Sequence, residues 1–274
     1  MELCLKELQN ELVSMLGWFH SFCVSHNLRY YAVCGTMLGA ARHNGFIPWD
    51  DDIDVGMPRP DYEKLCLLIG NKEFEGFYLE TFSTNSFEYR YPYSKLYNTK
   101  TTLVEHTWPI LRRGIFIDVF PLDGLGNNEI DSIRHWKNII KKTNYLWART
   151  CALRKNRTIV KNIAILFAHL IPKSIANDKK MLYELDLECK TYDYDRSNIV
   201  GNIFGGWGIK EIMPKTIIGN PTLYKFENIE IYGVECPNEY LTRLYGNWQR
   251  LPDVDKRVTH HDFLEIDLHK SYVK

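Results

Sequence analysis

The feature that most constrains this 274-residue chain is an acidic run inside an apolar segment, FIPWDDDIDVGM at residues 46–57. Side chains of a strand alternate between faces, so a strand here would present Asp50, Asp52 and Asp54 together, with Asp51 on the other face. Acidic runs are commonly solvated loops, but the apolar residues on both sides favour the end of a buried strand. Carboxylates on one face repel one another unless a cation neutralises them, which predicts a site for Mg²⁺ or Mn²⁺.

A second apolar segment, GIFIDVFPLD at residues 114–123, predicts a buried strand with Asp118 at its centre. A buried carboxylate is costly unless it is paired, hydrogen-bonded or bound to a metal. One interpretation is a structural Asp beside a turn toward Pro121. The other is that Asp118 joins Asp52 and Asp54 across adjacent strands in a three-carboxylate site for two metal ions.

These segments resemble the LicD family, which is related to fukutin and fukutin-related protein. The resemblance rests on GTMLGAARHNGFIPWDDDIDVGMPRPDYEKL and FIDVFPLD, and on LYGNWQRLP followed by RVTHH near the end of the chain. It implies an α+β, nucleotidyltransferase-like fold of the DNA polymerase β type, with a mixed sheet flanked by helices. Residues 1–274 would form one catalytic domain, with a helical insert at roughly residues 127–197.

The family pattern is a Gly-Ser/Thr turn, an Asp-x-Asp strand and a third carboxylate on a neighbouring strand. The turn falls on Gly35 and Thr36, and the carboxylates fall on Asp52, Asp54 and Asp118. The resemblance therefore implies that these three acids are catalytic and bind Mg²⁺ or Mn²⁺, as two ions. The third of them could also accept a proton from the attacking hydroxyl.

The resemblance further implies transfer of a phospho-alcohol, phosphocholine first, from a CDP-activated donor such as CDP-choline. The acceptor would be a cell-surface glycan or a lipid-linked glycan, as in teichoic acid, lipopolysaccharide or capsular polysaccharide. Glycerol phosphate, ribitol phosphate or a nucleotidyl group are alternative transferred groups. One alternative is a DxD-type glycosyltransferase, but Asp118 and the Gly-Thr turn argue against it. Another is an inactive sugar- or lipid-binding module, but the intact carboxylates argue against that.

Several further residues are candidates for contacting the substrate. A helix over residues 36–42, opening at the Gly-Thr turn, would aim backbone N–H groups at a phosphate. Two tryptophans could provide an aromatic face for a quaternary ammonium, although core packing is the alternative for both. A solvated surface position is the alternative for the basic candidates on the helix and on the strand at 93–97. The candidates are Gly35, Thr36, Arg42, Lys95, Trp207, Trp248, His260 and His261, with Asp50 as a supporting acid behind the metal ligands.

Composition narrows the function classes. The chain has 34 basic and 34 acidic residues, so it lacks the excess positive charge expected of a nucleic-acid-binding protein. Its seven cysteines are scattered without a metal-binding spacing, which predicts reduced thiols of a cytoplasmic protein and no zinc. Leu5, Leu8, Leu12, Leu16 and Phe19 recur at helical spacing, which predicts an amphipathic helix and not a secretory signal.

Local patterns predict the remaining elements. Helices are predicted at residues 61–69, capped by Asp61, and at 238–245, ended by Gly246. Strands are predicted at residues 30–33, 78–82, 93–97, 101–105 and 226–232.

The most apolar stretch is IVKNIAILFAHLI at residues 159–171, which is too short to span a bilayer. Basic residues surround it. The commoner interpretation, which we favour at this point, is a buried helix with basic ends. The alternative is an interfacial helix that makes peripheral contact with the inner membrane face.

Overall fold

The fold is mixed α and β in a computed structural model, which describes residues 5–84, 88–154, 157–172, 177–259, 261 and 263–273. The helices of this part of the chain are α1 (Leu5–Ser25), α2 (Cys34–His43), α3 (Arg59–Ile69), α4 (Glu129–Thr150), α5 (Ile159–Leu170), α6 (Asp178–Cys189), α7 (Lys215–Ile218) and α8 (Pro237–Tyr245). Its strands are β1 (Tyr31–Ala32), β2 (Asp54–Pro58), β3 (Glu73–Phe74), β4 (Phe77–Glu80), β5 (Ser94–Asn98), β6 (Thr102–Glu105), β7 (Leu111–Arg113), β8 (Phe116–Gly124), β9 (Ile199–Asn202), β10 (Ile212–Pro214), β11 (Thr222–Phe226), β12 (Ile229–Gly233) and β13 (Phe263–Asp267).

The central strand of the main sheet is β8, all nine residues of which are buried. It pairs in parallel with β2 on one side and antiparallel with β5 and β9 on the other. The order is β11-β12-β1-β2-β8-β5-β4-β3, with β10 beside β9, so the mixed sheet is large. A separate sheet has the order β13-β6-β7.

The amphipathic N-terminal helix is confirmed as α1. Its residues Leu12, Leu16 and Phe19 are fully buried because their spacing places them on one side of the helix. This side contacts β12 and β8, so α1 covers part of the main sheet and closes the core there.

Two local predictions are wrong. Asp61 does not cap α3: the helix begins earlier at Arg59, and the Asp61 carboxylate instead accepts hydrogen bonds from the backbone and side chain of Arg29. Residues 226–232 are not one strand, because Glu227 has a φ of 54° and a two-residue turn joins β11 to β12 as a hairpin.

Helices α4, α5 and α6 occupy the region expected to be helical, and α4 contacts both of the others. The favoured prediction of a buried helix at 159–171 is wrong, because Ile165 and Ala168 are the buried residues of α5 and most of its other apolar side chains are exposed. In the described part of the chain, no helix is long and apolar enough to cross a membrane.

A buried ion-pair cluster joins the main sheet to α6. The Arg59 guanidinium lies 2.6 Å from Asp123 on β8 and 2.9 Å from Asp186 on α6, and all three side chains are at most 8% exposed. Removing one member of such a cluster leaves uncompensated charge in the interior. The cluster therefore fixes α3, β8 and α6 relative to one another.

Replacement of Arg59 with Met is expected to lower the free energy of unfolding by about 3–5 kcal/mol, because Asp123 loses its buried counter-ion and Asp186 keeps only the partly exposed Lys190. The matched control is Arg134→Met on α4, whose ion pair with Asp131 is exposed and is worth at most about 1 kcal/mol. Urea unfolding of both variants tests this. Equal losses in the two variants would contradict a structural role for the cluster.

Candidate active site

The site centres on two acids that sit side by side on parallel strands. Asp54 on β2 and Asp118 on β8 are direct partners in register, and Asp118 is in turn the partner of Lys95 on β5. Directly paired residues project from the same face of a sheet, so these three side chains share one face. The expectation that Asp118 joins the acidic run across adjacent strands is therefore met by the geometry.

The acidic run itself is not a regular strand, which corrects the sequence interpretation. The ladder begins only at Asp54, and the Asp50 N–H donates to the Ile47 carbonyl in a turn. Free of strict alternation, Asp51 and Asp52 both face the His261 ring, at 2.8 Å from Nδ1 and 3.7 Å from Nε2. Asp51 is therefore part of the site, although alternation placed it on the other face.

Gly35 leaves room where α2 approaches Asp50. A Cβ at Gly35 would lie 2.8 Å from Asp50 Oδ2, so the carboxylate would have to shift to accommodate it. The chain enters this turn through Cys34, whose φ of 48° is uncommon for a residue with a side chain and stores strain. The Asp50 carboxylate thus lies beside the first turn of α2, where the sequence predicts a phosphate.

Thr36 connects the same helix to the first strand residue of the site. Its Oγ1 accepts a hydrogen bond of 2.8 Å from the Asp54 backbone N–H, and Thr36 is buried. The Gly-Thr pair therefore positions Asp50 and Asp54. That this pair binds a phosphate remains a prediction.

Lys95 is buried, so the alternative interpretation that it lies on a solvated face is wrong. Its Nζ lies 3.0 Å from Asp118 and 3.5 Å from Glu105 on β6, and Glu105 also accepts from the Tyr91 hydroxyl. Burial lowers the pKa of Lys95, but the charges of Asp118 and Glu105 raise it by more than burial lowers it. The lysine is therefore charged. Sequence reasoning missed Glu105, which reaches the site from the other sheet.

The crowded carboxylates shift one another's pKa. Burial and then the Asp52 charge raise the pKa of Asp50 to about 8. Burial, Asp52 and Asp118 raise the pKa of Asp54 well above its usual value. Burial also raises the pKa of Asp118, but Lys95 opposes the rise and the result is about 6. These carboxylates therefore repel one another unless a proton or a further cation neutralises part of their charge.

The donor atoms of this region fit a divalent cation. Asp51, Asp52 and His261 each offer one ligand atom, and these atoms all lie within 4.8 Å of one another. Two carboxylates with one imidazole suit a divalent metal, and the neighbouring acids add attraction for it. Burial lowers the pKa of His261, but the hydrogen bond to Asp51 and the charge of Asp52 raise it to about 9. The protonated His261 ring thus provides positive charge beside Asp51 and Asp52, where a metal ion could otherwise bind.

Glu211 is a further acid that sequence reasoning missed. It is 2% exposed, accepts a hydrogen bond from the Trp207 backbone N–H, and lies 3.8 Å from the Cys34 sulfur. Burial raises the pKa of Glu211 to about 7, and its charge acts on Asp54. Glu211 follows the Gly-Gly-Trp-Gly turn, and its spacing from the acidic run gives no indication in the sequence that it belongs to the site.

A pocket of about 510 Å³ adjoins the acids. Arg42 reaches its wall and donates to the Trp248 carbonyl at 2.6 Å, and Tyr245 packs its ring 4.5 Å from the ring of Trp207. Both predicted tryptophans line this pocket, as does Trp49. Trp49 directly precedes Asp50 in the chain, which places the pocket next to the acidic run.

The structure thus brings together the predicted Asp52, Asp54, Asp118 and Lys95, with His261 at the edge of the group. Arg42 contributes to the adjoining pocket instead. His260 lies outside the described residues.

The chain is similar to known proteins both at this site and over nearly its full length. A family model for the LicD/FKTN/FKRP nucleotidyltransferase domain matches residues 27–159, which include the acidic run and Asp118. The chain is 27% identical over 266 residues to the lipopolysaccharide cholinephosphotransferase LicD of Haemophilus influenzae, covering 95% of this chain and 97% of that protein. A shorter match of 58 residues, 38% identical, is to the uncharacterized protein RP689 of Rickettsia prowazekii, covering 21% of this chain and 22% of that protein.

The close approach at Gly35 predicts an unusual response to alanine. Ala is preferred to Gly inside a helix by about 0.8–1 kcal/mol, so Gly17→Ala on α1, where the new Cβ meets Ile229 at 3.8 Å, should stabilise the protein. Gly35→Ala should lose that gain or destabilise, because its Cβ meets the buried Asp50 carboxylate. Urea unfolding measures both, and equal stabilisation would contradict the contact.

Proposed function

We propose that this chain transfers a phospho-alcohol from a CDP-activated donor to a glycan. It carries a LicD/FKTN/FKRP nucleotidyltransferase domain and is a distant homologue of LicD cholinephosphotransferase over nearly its full length. Phosphocholine is the first candidate, because the full-length relative is a cholinephosphotransferase. The acceptor is a cell-surface glycan or its lipid-linked precursor.

One observation carries this proposal: Asp54 and Asp118 are in register on parallel strands, with Asp50 and Asp52 close behind them. Phosphoryl transfer brings negative phosphate oxygens to the reacting atoms, and a site for it must hold cations there. A convergence of carboxylates exceeding the charge of Lys95 and His261 supports divalent metal binding. A glycosyltransferase with a lone DxD motif does not require the partner acid on β8.

In the proposed reaction, a glycan hydroxyl attacks the phosphorus that bears the alcohol. The new bond joins that phosphorus to the glycan oxygen, the bond to the bridging oxygen breaks, and CMP leaves. The hydroxyl proton passes to a carboxylate, for which we propose Asp118. The residues of the chain thereby bind the donor, orient the hydroxyl and accept the proton.

A divalent ion, when bound, neutralises charge on the donor phosphates and the leaving group. We propose that Asp52 is shared by two sets of ligands. One set is Asp52 with Asp54 and Asp118, as the resemblance implies. The other is Asp52 with Asp51 and His261, whose ligand atoms lie within 4.8 Å of one another.

The pocket beside the acids is our proposed seat for the donor. Trp207, Trp248 and Tyr245 offer aromatic surface to a quaternary ammonium, and Arg42, in the last turn of α2, is a basic residue of the same lining. A cation on an aromatic face gains about 0.5–2 kcal/mol. The aromatic lining therefore favours phosphocholine over a phospho-polyol.

The test is to incubate the protein and Mg²⁺ or Mn²⁺ with acceptor glycan and a panel of nucleotide donors. CMP release with CDP-choline, and label transferred from choline to glycan, is the expected result. CMP release only with CDP-glycerol or CDP-ribitol would change the alcohol and keep the reaction. Pyrophosphate release from CTP or UDP release from a UDP-sugar would replace the proposal with nucleotidyl or glycosyl transfer.

The variants Asp54→Asn and Asp118→Asn are expected to lower kcat by about a hundredfold or more, because both are proposed metal ligands and Asp118 is also the proposed proton acceptor. The control is Asp131→Asn, an exposed acid on α4, which should keep full activity. Initial rates of CMP release provide the measurement. Full activity in both site variants would place the chemistry elsewhere.

The pocket variants Trp207→Leu and Trp248→Leu are expected to raise KM for CDP-choline by about 3- to 30-fold, because they remove cation–π stabilisation. They should leave KM for CDP-glycerol nearly unchanged, since glycerol carries no positive charge. Trp147→Leu on α4, which lies outside the pocket, is the matched control. An equal rise in KM for both donors would assign these rings to general packing.

A further inference from the structure

Helix α5 presents apolar side chains to solvent along one side. Its exposed apolar residues are 46–77% accessible, and Phe167 and Leu170 are among the most exposed. At 3.6 residues per turn they fall within an arc of about 120°, opposite the buried Ile165 and Ala168. We name this surface the α5 face: Ile159, Val160, Ile163, Leu166, Phe167 and Leu170.

The α5 face continues onto neighbouring elements. Trp108, which is 56% exposed, stacks its ring 5.6 Å from His169 on α5. Its backbone N–H donates to the Thr150 carbonyl at the end of α4. The Arg149 guanidinium donates to the carbonyls of Ala168 and Ile171, which holds the end of α5 in place. The apolar surface is thus held in a fixed position on the fold.

Charge around the α5 face is strongly one-sided. Residues 132–177 contain ten Lys and Arg and no Asp or Glu, in a chain whose formal net charge is zero, and three of the ten pair with acids outside this segment. Lys137 and Lys141 on α4 are exposed, as is Lys161, which lies in the first turn of α5 on the side opposite the α5 face. A concentration of positive charge beside an exposed apolar face complements an anionic bilayer surface, where acyl chains and negative headgroups lie together.

We propose that the α5 face binds the surface of an anionic lipid bilayer. The helix would lie in the interface rather than cross it, because its twelve residues extend about 18 Å against about 30 Å of hydrocarbon. A second copy of the chain is a poorer occupant, because pairing two such faces would bring two uniformly basic segments together. This inference goes beyond the transfer reaction and does not depend on it.

The proposed surface borders the candidate active site. Trp108 lies three residues after Glu105, so their Cα atoms are at most about 11 Å apart. Glu105 is ion-paired with Lys95, which contacts Asp118. The surface next to the α5 face is therefore connected to the acids through Glu105 and Lys95.

The test is flotation of the purified full chain with vesicles of phosphatidylcholine, alone or mixed with phosphatidylglycerol. The protein should float with the anionic vesicles at low salt, and binding should weaken as salt rises. Failure to bind anionic vesicles at low salt would overturn the proposal. No donor or acceptor is present, so this failure would leave the transfer reaction unaffected.

Matched variants assign the binding to the α5 face. Phe167→Gln combined with Leu170→Gln should reduce partitioning by at least about tenfold, whereas Leu67→Gln, an exposed leucine on α3, should not. Lys161→Glu should reduce it by about fivefold or more, whereas Lys225→Glu on β11 should not. Equal effects of test and control variants would overturn the assignment.

Two control measurements test whether the variants misfold and whether the chain self-associates. Thermal unfolding should show unchanged stability in the α5 variants, because the replaced side chains are mostly exposed, and Ile159→Gln serves if the double variant fails to fold. Light scattering after size exclusion should show the same mass for wild type and variants. An oligomer that the double variant dissociates would show that a second copy covers the face, and would overturn the proposal.

Discussion

Repulsion among buried carboxylates is the constraint on which the site depends. Four carboxylates repel one another at the parallel strands β2 and β8: Asp50, Asp52, Asp54 and Asp118. Such a group destabilises a fold unless cations or a change of protonation relieve it. The neighbouring structure supplies both forms of relief, since the pKa of several acids is raised and two cationic side chains face them.

The small sheet explains why those cations are in place. Glu105 on β6 holds Lys95 against Asp118, and the His261 ring stacks on Phe263 at the start of β13, with centroids 5.1 Å apart. Since β13 pairs with β6, both cations depend on the same sheet. A C-terminal segment distant in sequence is therefore needed to complete a site whose acids lie in the first half of the chain.

Sequence reasoning succeeded where a pattern was local or matched a family. The spacing of Leu12 and Leu16 identified α1, and the resemblance placed Asp118 beside Asp54. It failed where tertiary contacts decide the outcome. Strict alternation misplaced Asp51 because the segment turns before β2 begins, and Glu211 reaches the site through a fold that no short spacing reveals. The exposure of α5 was missed for the same reason, since its apolar sequence alone is also that of a core helix.

Anomalous diffraction from crystals grown with Mn²⁺ and CDP-choline would show whether these carboxylates hold a metal ion beside the donor. We expect manganese contacted by Asp52 together with Asp54 or Asp118, or with Asp51 and His261, and donor phosphates on the open side of the metal. Manganese bound elsewhere, with Asp118 contacting only Lys95 and with His261 still between Asp51 and Asp52, would contradict it.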